Sequence, residues 1–236
     1  GVQRVLKFVK YLPQFGWEPI VLTVKDIHYP ASDSSLLEEI PKNVKIYRTG
    51  SFDPLRLLYF LKRFFKKNED SSDSIPKASS NRLKFLKLFF IPDNKIGWLL
   101  GALIQGFKAG KKNKIDLIFS TSPPPTAHLI GLFLKQLLRK PLVVDFRDSW
   151  ETSLQEKAPT IFHKWLQKKI EKKILKNADS IISVNEYLQN IFQKKYPQLK
   201  SSSVITNGYD EEDFIDLKPE EKSDYFTVVY LGTFNR

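Results

Sequence analysis

The sequence predicts an α/β fold: a Rossmann-like doubly wound parallel sheet with helices on both faces. Three observations carry that expectation. Helix-type and strand-type patterns alternate along the chain, which is the signature of βαβ units. Strand candidates such as Leu142-Val143-Val144 are near-continuous apolar runs, as sheets covered on both faces require. The 236 residues, 42% of them hydrophobic, are enough for one sizeable core.

The elements follow in order. Val2, Val5, Leu6, Val9 and Leu12 recur at the 3.6-residue period of a helix that Gly16 closes. The run from Pro19 to Val24 and the run from Val44 to Tyr47 read as strands, joined by a polar loop with Pro30, Asp33 and Pro41. Residues 51–94 hold two basic-aromatic stretches around a polar break, 68–81, whose Ser, Asp and Lys content predicts a mobile loop. Helices are then expected over 96–109, 126–138, 160–176 and 186–195, and strands over 115–119, 142–146, 180–184 and 203–206. In the helix over 160–176, Phe162, Leu166, Ile170 and Ile174 at i, i+4 spacing are expected to be the buried stripe, with its lysines solvated. Residues 1–214 form one domain, whose first strand is expected to precede Gly1. An acidic linker spans 215–225, and 226–236 open a second domain with a buried-type strand ending in Gly232.

Composition narrows the function classes. Thirty-eight Lys and Arg against 26 Asp and Glu give a net charge of +12, which attracts nucleic acid, a phosphorylated substrate or acidic lipid. With no cysteine, disulfides and thiolate metal sites are excluded, and His28, His128 and His163 lack metal-ligand spacing, so no metal is expected. There is no G-x-G-x-x-G, and no helix-turn-helix, RNP, KH or zinc-finger pattern, so neither a dinucleotide nor nucleic acid is the expected partner. No apolar run approaches the roughly 20 residues that span a bilayer. Yet Leu55 to Lys67 and Arg82 to Phe90 interleave cations with Leu, Phe and Tyr, the composition of an interfacial helix. An anionic membrane surface is therefore an expected partner; packing of the same apolar residues on the sheet, with snorkelling lysines, is the alternative.

Four segments carry candidate chemistry. Ile115 to Pro125 runs from a strand into a turn of small hydroxyls and prolines that opens a helix, where ligands of doubly wound sheets sit and helix N–H groups face anions; Ser122 is the candidate there, or else a plain capping residue. Leu142 to Trp150 delivers Asp145, Arg147, Asp148 and Trp150 to a strand end. There the arginine suits phosphate or carboxylate and the tryptophan a sugar face, unless the arginine and an aspartate merely hold the loop. Asn177 to Glu186 and Val204 to Asp210, followed by Asp213-Phe214, are individually ordinary turn signals.

Taken in order, these segments resemble the N-terminal domain of family 4 glycosyltransferases. The matching residues are Gly1 with Arg4, Pro92-Asp93 with Trp98, Ser122-Pro123-Pro124-Pro125, and Asp145-Phe146-Arg147-Asp148-Ser149-Trp150. Ala178-Asp179 with its strand, Val204-Ile205-Thr206-Asn207-Gly208-Tyr209-Asp210 and Val228 to Gly232 complete the set. The resemblance implies a GT-B enzyme of two Rossmann-like domains, with a nucleotide-sugar on the C-terminal side and the acceptor on the N-terminal side. It further implies no metal, no cofactor beyond the nucleotide-sugar co-substrate, and retention at the anomeric carbon. Arg147-Asp148 stands where many relatives have His-Asp, and the family's two-glutamate signature is expected downstream of Arg236, so residues 1–236 alone are expected to be inactive.

By the same resemblance Arg147 and Asp148 are the catalytic candidates, stabilising the departing diphosphate and orienting the arginine or a sugar hydroxyl. Gly1, Arg4, Ser122, Trp150, Asn185 and Glu186 are the acceptor-side candidates, and Asn207, Gly208 and Gly232 the donor-side ones. The implied setting is cytoplasmic, at the inner face of a membrane, with a lipid-linked sugar or polysaccharide acceptor. A non-catalytic sugar- or nucleotide-binding domain on the same fold is the competing reading.

Overall fold

The β-branched runs form strands and the 3.6-periodic runs form helices in the computed structural model, which describes residues 2–25, 35–51, 91–150, 160–199, 201–215 and 225–230. Gly1, the two basic-aromatic stretches, the polar break at 68–81 and Gly232 lie outside the described residues. Helix α1, Val2–Tyr11, tightens into a short 3-10 turn, Leu12–Phe15, and ends at Gly16, whose φ of 80° is the left-handed value that glycine adopts without strain. Strand β1 (Ile20–Val24), a single helical turn α2 (Ser35–Glu38) and strand β2 (Lys45–Thr49) follow. After a 3-10 turn at Ile96–Trp98 come α3 (Leu99–Asn113), β3 (Ile118–Ser122), α4 (Pro125–Leu138) and β4 (Leu142–Phe146). The series ends with α5 (Ile161–Asn177), β5 (Ser180–Ser183), α6 (Glu186–Lys195), β6 (Ser202–Val204) and a 3-10 turn at Glu211–Phe214.

All strand pairs are parallel, as expected, but they form two ladders among the described residues: β1-β2, and β3-β4-β5-β6 in sequence order. Helix α3 packs on β1 and β2 and against helix α4, which covers the four-stranded ladder. A Cβ on Gly106 would come within 2.8 Å of Leu134 on α4 and 3.0 Å of Leu22 on β1, and one on Gly110 within 2.6 Å of Leu138, so these glycines let α3 approach closely.

In the four-stranded ladder Ser122, Phe146 and Ser183 are in register, as are Thr121, Asp145 and Ile182 one residue earlier, so the two rows point to opposite faces. Right-handed crossovers that always step the same way put α4, α5 and α6 on one face. Phe146 accordingly lies between His128 of α4, at 4.4 Å between ring centroids, and Phe192 of α6, at 4.8 Å. Leu142, Val144, Ile181, Leu132, Ile174, Leu175 and Leu188 fill the same core. Helix α1 lies on the opposite face, with Phe8 edge-on to Phe119 at 5.5 Å.

Three expectations are corrected. Strand β3 starts at Ile118 instead of Ile115, because Ile115 belongs to the exit of α3: with Lys114 left-handed, the Ile115 amide donates to the Gly110 carbonyl. The strand expected over 226–232 is not formed across residues 226–230, which are exposed and pair with no described strand; without a ladder the backbone groups turn to water. Phe162 is 59% exposed, whereas His163, Glu171, Ile174 and Leu175 are the buried positions of α5. Each i, i+4 step drifts about 40° around a helix, so after three steps Phe162 and Ile174 no longer share a face. Among the described residues no helix is long and apolar enough to cross a membrane.

Candidate functional site

The carboxyl ends of β3, β4 and β5 bring most of the candidates together. Beyond Ser122 the chain runs through Pro123, Pro124 and Pro125, none of which has an N–H. The first available amide of α4, that of Thr126, donates to Asp93 Oδ2 at 2.6 Å, the Thr126 hydroxyl donates to the same oxygen at 2.8 Å, and the Ala127 amide turns to the Pro124 carbonyl. The expectation that this helix start offers free N–H groups to an anion is therefore corrected. Buried Asp93, held also by the Lys95 amide at 2.6 Å, is the anion that caps it. Burial outweighs these hydrogen bonds and raises the Asp93 carboxyl above its ordinary value. Ser122 itself points inward, 1% exposed, with its hydroxyl unpartnered.

What the turn presents outward are carbonyls, and Arg147 reads them. Its Nε donates to Ser122 O at 3.1 Å and one terminal nitrogen to Pro123 O at 2.7 Å. The guanidinium is thus fixed over the proline turn, half-buried, with desolvation lowering its pKa and the nearby Asp145 and Asp148 opposing that shift. Asp148 beside it is exposed. The arginine supplies the positive charge that three prolines deny the backbone.

Arg4 and Asp145 form the second part of the site. Arg4 grips Asp145 with two nitrogens, at 2.8 and 3.1 Å, and donates further to the carbonyls of Ile205 and Thr206 and to Asn207 Oδ1. Thr121 Oγ1 donates to Asp145 at 2.7 Å. The expected acceptor contact of Arg4 thus gives way to a clamp that fastens α1 to β4 and to the segment after β6, and it positions Asn207. Gly208 follows in the open: a Cβ there would meet nothing within 4 Å, so the chain itself does not demand glycine.

The other candidates face inward or cap. Trp150 packs toward His128 and Phe146, at 6.4 and 6.3 Å between centroids, so its ring serves the core. Asn185 Oδ1 accepts from the Leu188 amide at 2.8 Å, capping α6, and Glu186 is exposed in that helix's first turn. Asp179, ordinary in the sequence, pairs with Lys135 and accepts from the Leu142 amide, joining α4 to the starts of β4 and β5.

Two further features carry a signal in the sequence. His128 is fully buried with Nδ1 2.8 Å from Ser120 Oγ, and burial lowers its pKa to about 3; a histidine three residues into an apolar helix start marks it. Lys7 and Lys10 with Tyr11 lie on one face of α1 and meet the acidic run beginning at Asp210. Glu39, Asp210 and Asp213 converge as a set of carboxylate metal ligands would, but the Lys7 ammonium pairs with all three, at 2.6, 2.7 and 2.9 Å. Against the desolvation of the ammonium, the three carboxylates raise Lys7 above the lysine range, while hydrogen bonds from Lys7, Tyr11 and Lys10 hold Asp210 well below the carboxylate range.

The family model described as Glycosyltransferase Family 4 matches residues 1–213. A solved structure titled as apo UGT2 of Phytolacca americana superimposes with a TM-score of 0.51 at 10% identity, covering 92% of this chain and 52% of that one. The likeness is one of fold, and the chain spans about half of that relative's length. Among curated proteins, none matches the sequence.

Proposed function

The chain belongs to glycosyltransferase family 4, and from that membership we propose that the protein transfers a sugar from a nucleotide-sugar donor to a lipid-linked or polysaccharide acceptor, with retention. This domain supplies the acceptor side, and a second domain holds the donor. The observation that carries the reading is Arg147, fixed by Ser122 O and Pro123 O at the carboxyl end of β4 with exposed Asp148 next to it. A cation held rigidly at that edge suits the negative charge that develops on a departing diphosphate or accompanies a phosphorylated acceptor. Asn207 and Gly208, positioned by the Arg4 clamp, form the donor-facing rim of the same edge. No metal enters the proposed step, and membrane contact through residues 55–67 and 82–90 at a cytoplasmic surface belongs to the same proposal.

The test is donor hydrolysis and transfer by the full-length protein over a panel of nucleotide-sugars. Arg147→Ala is expected to lower turnover by about a hundredfold, the scale on which one preorganised charge-stabilising donor acts. Unchanged turnover in a folded variant would remove Arg147 from the mechanism. Sugar binding with no transfer to any acceptor would favour the non-catalytic reading.

A further inference from the structure

Helix α5 turns an unexpected surface outward. Ile161, Phe162 and Trp165 are 89%, 59% and 48% exposed, and all three fall within its first two turns. The Phe162 and Trp165 rings stack at 5.8 Å, and Lys169 Nζ lies 3.9 Å from the Trp165 ring centre. Lys164, Lys168, Lys169, Lys172, Lys173 and Lys176 are exposed along the same helix, whose one acid, Glu171, is buried. The outward face therefore combines an apolar, aromatic tip with a strip of cations and no exposed carboxylate.

We infer that the outward face of α5 docks on an anionic lipid surface. Charge complementarity selects an anionic partner, and the tip selects among such partners. Ile161 and the edge of Phe162 gain free energy by leaving water for an acyl boundary and have nothing to recognise on a phosphate backbone. Trp165 has the amphipathic ring that settles at headgroup depth. Lysines flanking such a tip reach headgroup phosphates while their stems stay against apolar surface. In a parallel βαβ unit the helix runs back against its strands, so the N-terminus of α5 lies at the carboxyl edge of β4, where Arg147 sits. Docking at the aromatic tip brings that edge to the surface on which an amphiphilic acceptor resides. This face belongs to a different stretch of the sequence from residues 55–67 and 82–90, and the inference does not depend on sugar transfer: vesicle docking without turnover would retain it and remove the functional reading alone.

The chain has no cysteine, so Ile161→Cys creates a unique labelling position that leaves Phe162 and Trp165 in place. An environment-sensitive fluorophore there is expected to shift to the blue with vesicles of phosphatidylcholine and phosphatidylglycerol at low salt. It should not shift with phosphatidylcholine alone, and the shift should reverse as salt is raised. The same label on Glu18→Cys, an exposed position beyond α1, is expected to stay unshifted. Adding Lys169→Gln, Lys172→Gln and Lys173→Gln to the labelled chain should weaken partitioning by about a hundredfold, at about fivefold per lysine. Failure to co-sediment with the anionic vesicles at low salt would overturn the inference. So would co-sedimentation with the Ile161→Cys label unshifted, which places the contact elsewhere, or a shift with single-stranded RNA equal to that with vesicles.

Discussion

Replacing Arg4 by Met tests the clamp that holds the two ends of the domain together. The Arg4–Asp145 pair is bidentate, with side-chain exposures of 8% and 0%, so the carboxylate left behind in Arg4→Met stays buried with Thr121 as its remaining partner. Removing one partner of a buried pair costs about 3–5 kcal/mol, because the surviving charge is uncompensated. The Met stem keeps its contact with Phe8, over which the guanidinium now lies at 5.1 Å, so lost packing adds little. The bonds from Arg4 to Ile205 O, Thr206 O and Asn207 lie in an exposed setting where water substitutes for them. For a domain of this size the loss corresponds to a melting point lower by about 10 °C. Urea unfolding followed by circular dichroism measures it, in a cycle of wild type, Arg4→Met, Asp145→Asn and the double variant. The double variant is expected to be more stable than additivity predicts by about 2 kcal/mol. Amide exchange at 205–208 should quicken in Arg4→Met. A cost below about 1 kcal/mol, or strict additivity, would refute the clamp as an energetic unit.

Other outcomes follow from the same structure. Asp93→Ala removes the acceptor of the Lys95 and Thr126 amides, leaving buried donors unpaired; urea unfolding should show a loss of about 1–3 kcal/mol. Asp210 has its pKa lowered, chiefly by the hydrogen bond from Lys7, so its contribution is complete above the ordinary carboxylate value of 3.8 and disappears as pH falls below it. Lys7 and Lys10 are raised, so theirs is complete below 10.5 and disappears as pH rises beyond it. Thermal melts of Asp210→Asn should therefore lack the acid-side decline attributable to Asp210. For His128, lowered by burial from 6.5 to about 3, the folded state favours the neutral ring, so stability is complete above 6.5 and declines as pH falls below it. Proton NMR should show its ring resonances untitrated down to acid unfolding, and a titration near 6.5 in the folded protein would contradict its burial.

Alternation, apolar runs and turn residues made most of the fold legible. Strand β4 and helix α6 have the bounds expected of them, since each is delimited by local signals: a proline before Leu142, and Asn185 before Glu186. The misplacements arose where a neighbour decided. Ile115 was taken by the cap of α3, and Phe226 to Tyr230 found no ladder, although both are strand-like in composition. At the site, the position of Arg147 and Asp148 was legible because the apolar run Leu142 to Val144 marks the strand whose carboxyl end they follow. Their surroundings were not, since Asp93 reaches α4 from 33 positions away and Arg4 reaches Asp145 from 141.

The sequence by itself determined which segments are strands and helices, the parallel class of the sheet, the family, and the strand end where the charges gather. Those follow from interactions within a few residues: side-chain period, caps and turn residues. The tertiary structure alone decided which side chains remain available there. It spent Arg4 on Asp145, turned Ser122 and Trp150 inward, closed the α4 start with Asp93, and rotated Phe162 and Trp165 to the surface. Each of those outcomes is settled only when distant segments pack; for Arg4 and for the α4 start, the demand that buried polar groups be satisfied selects the partner.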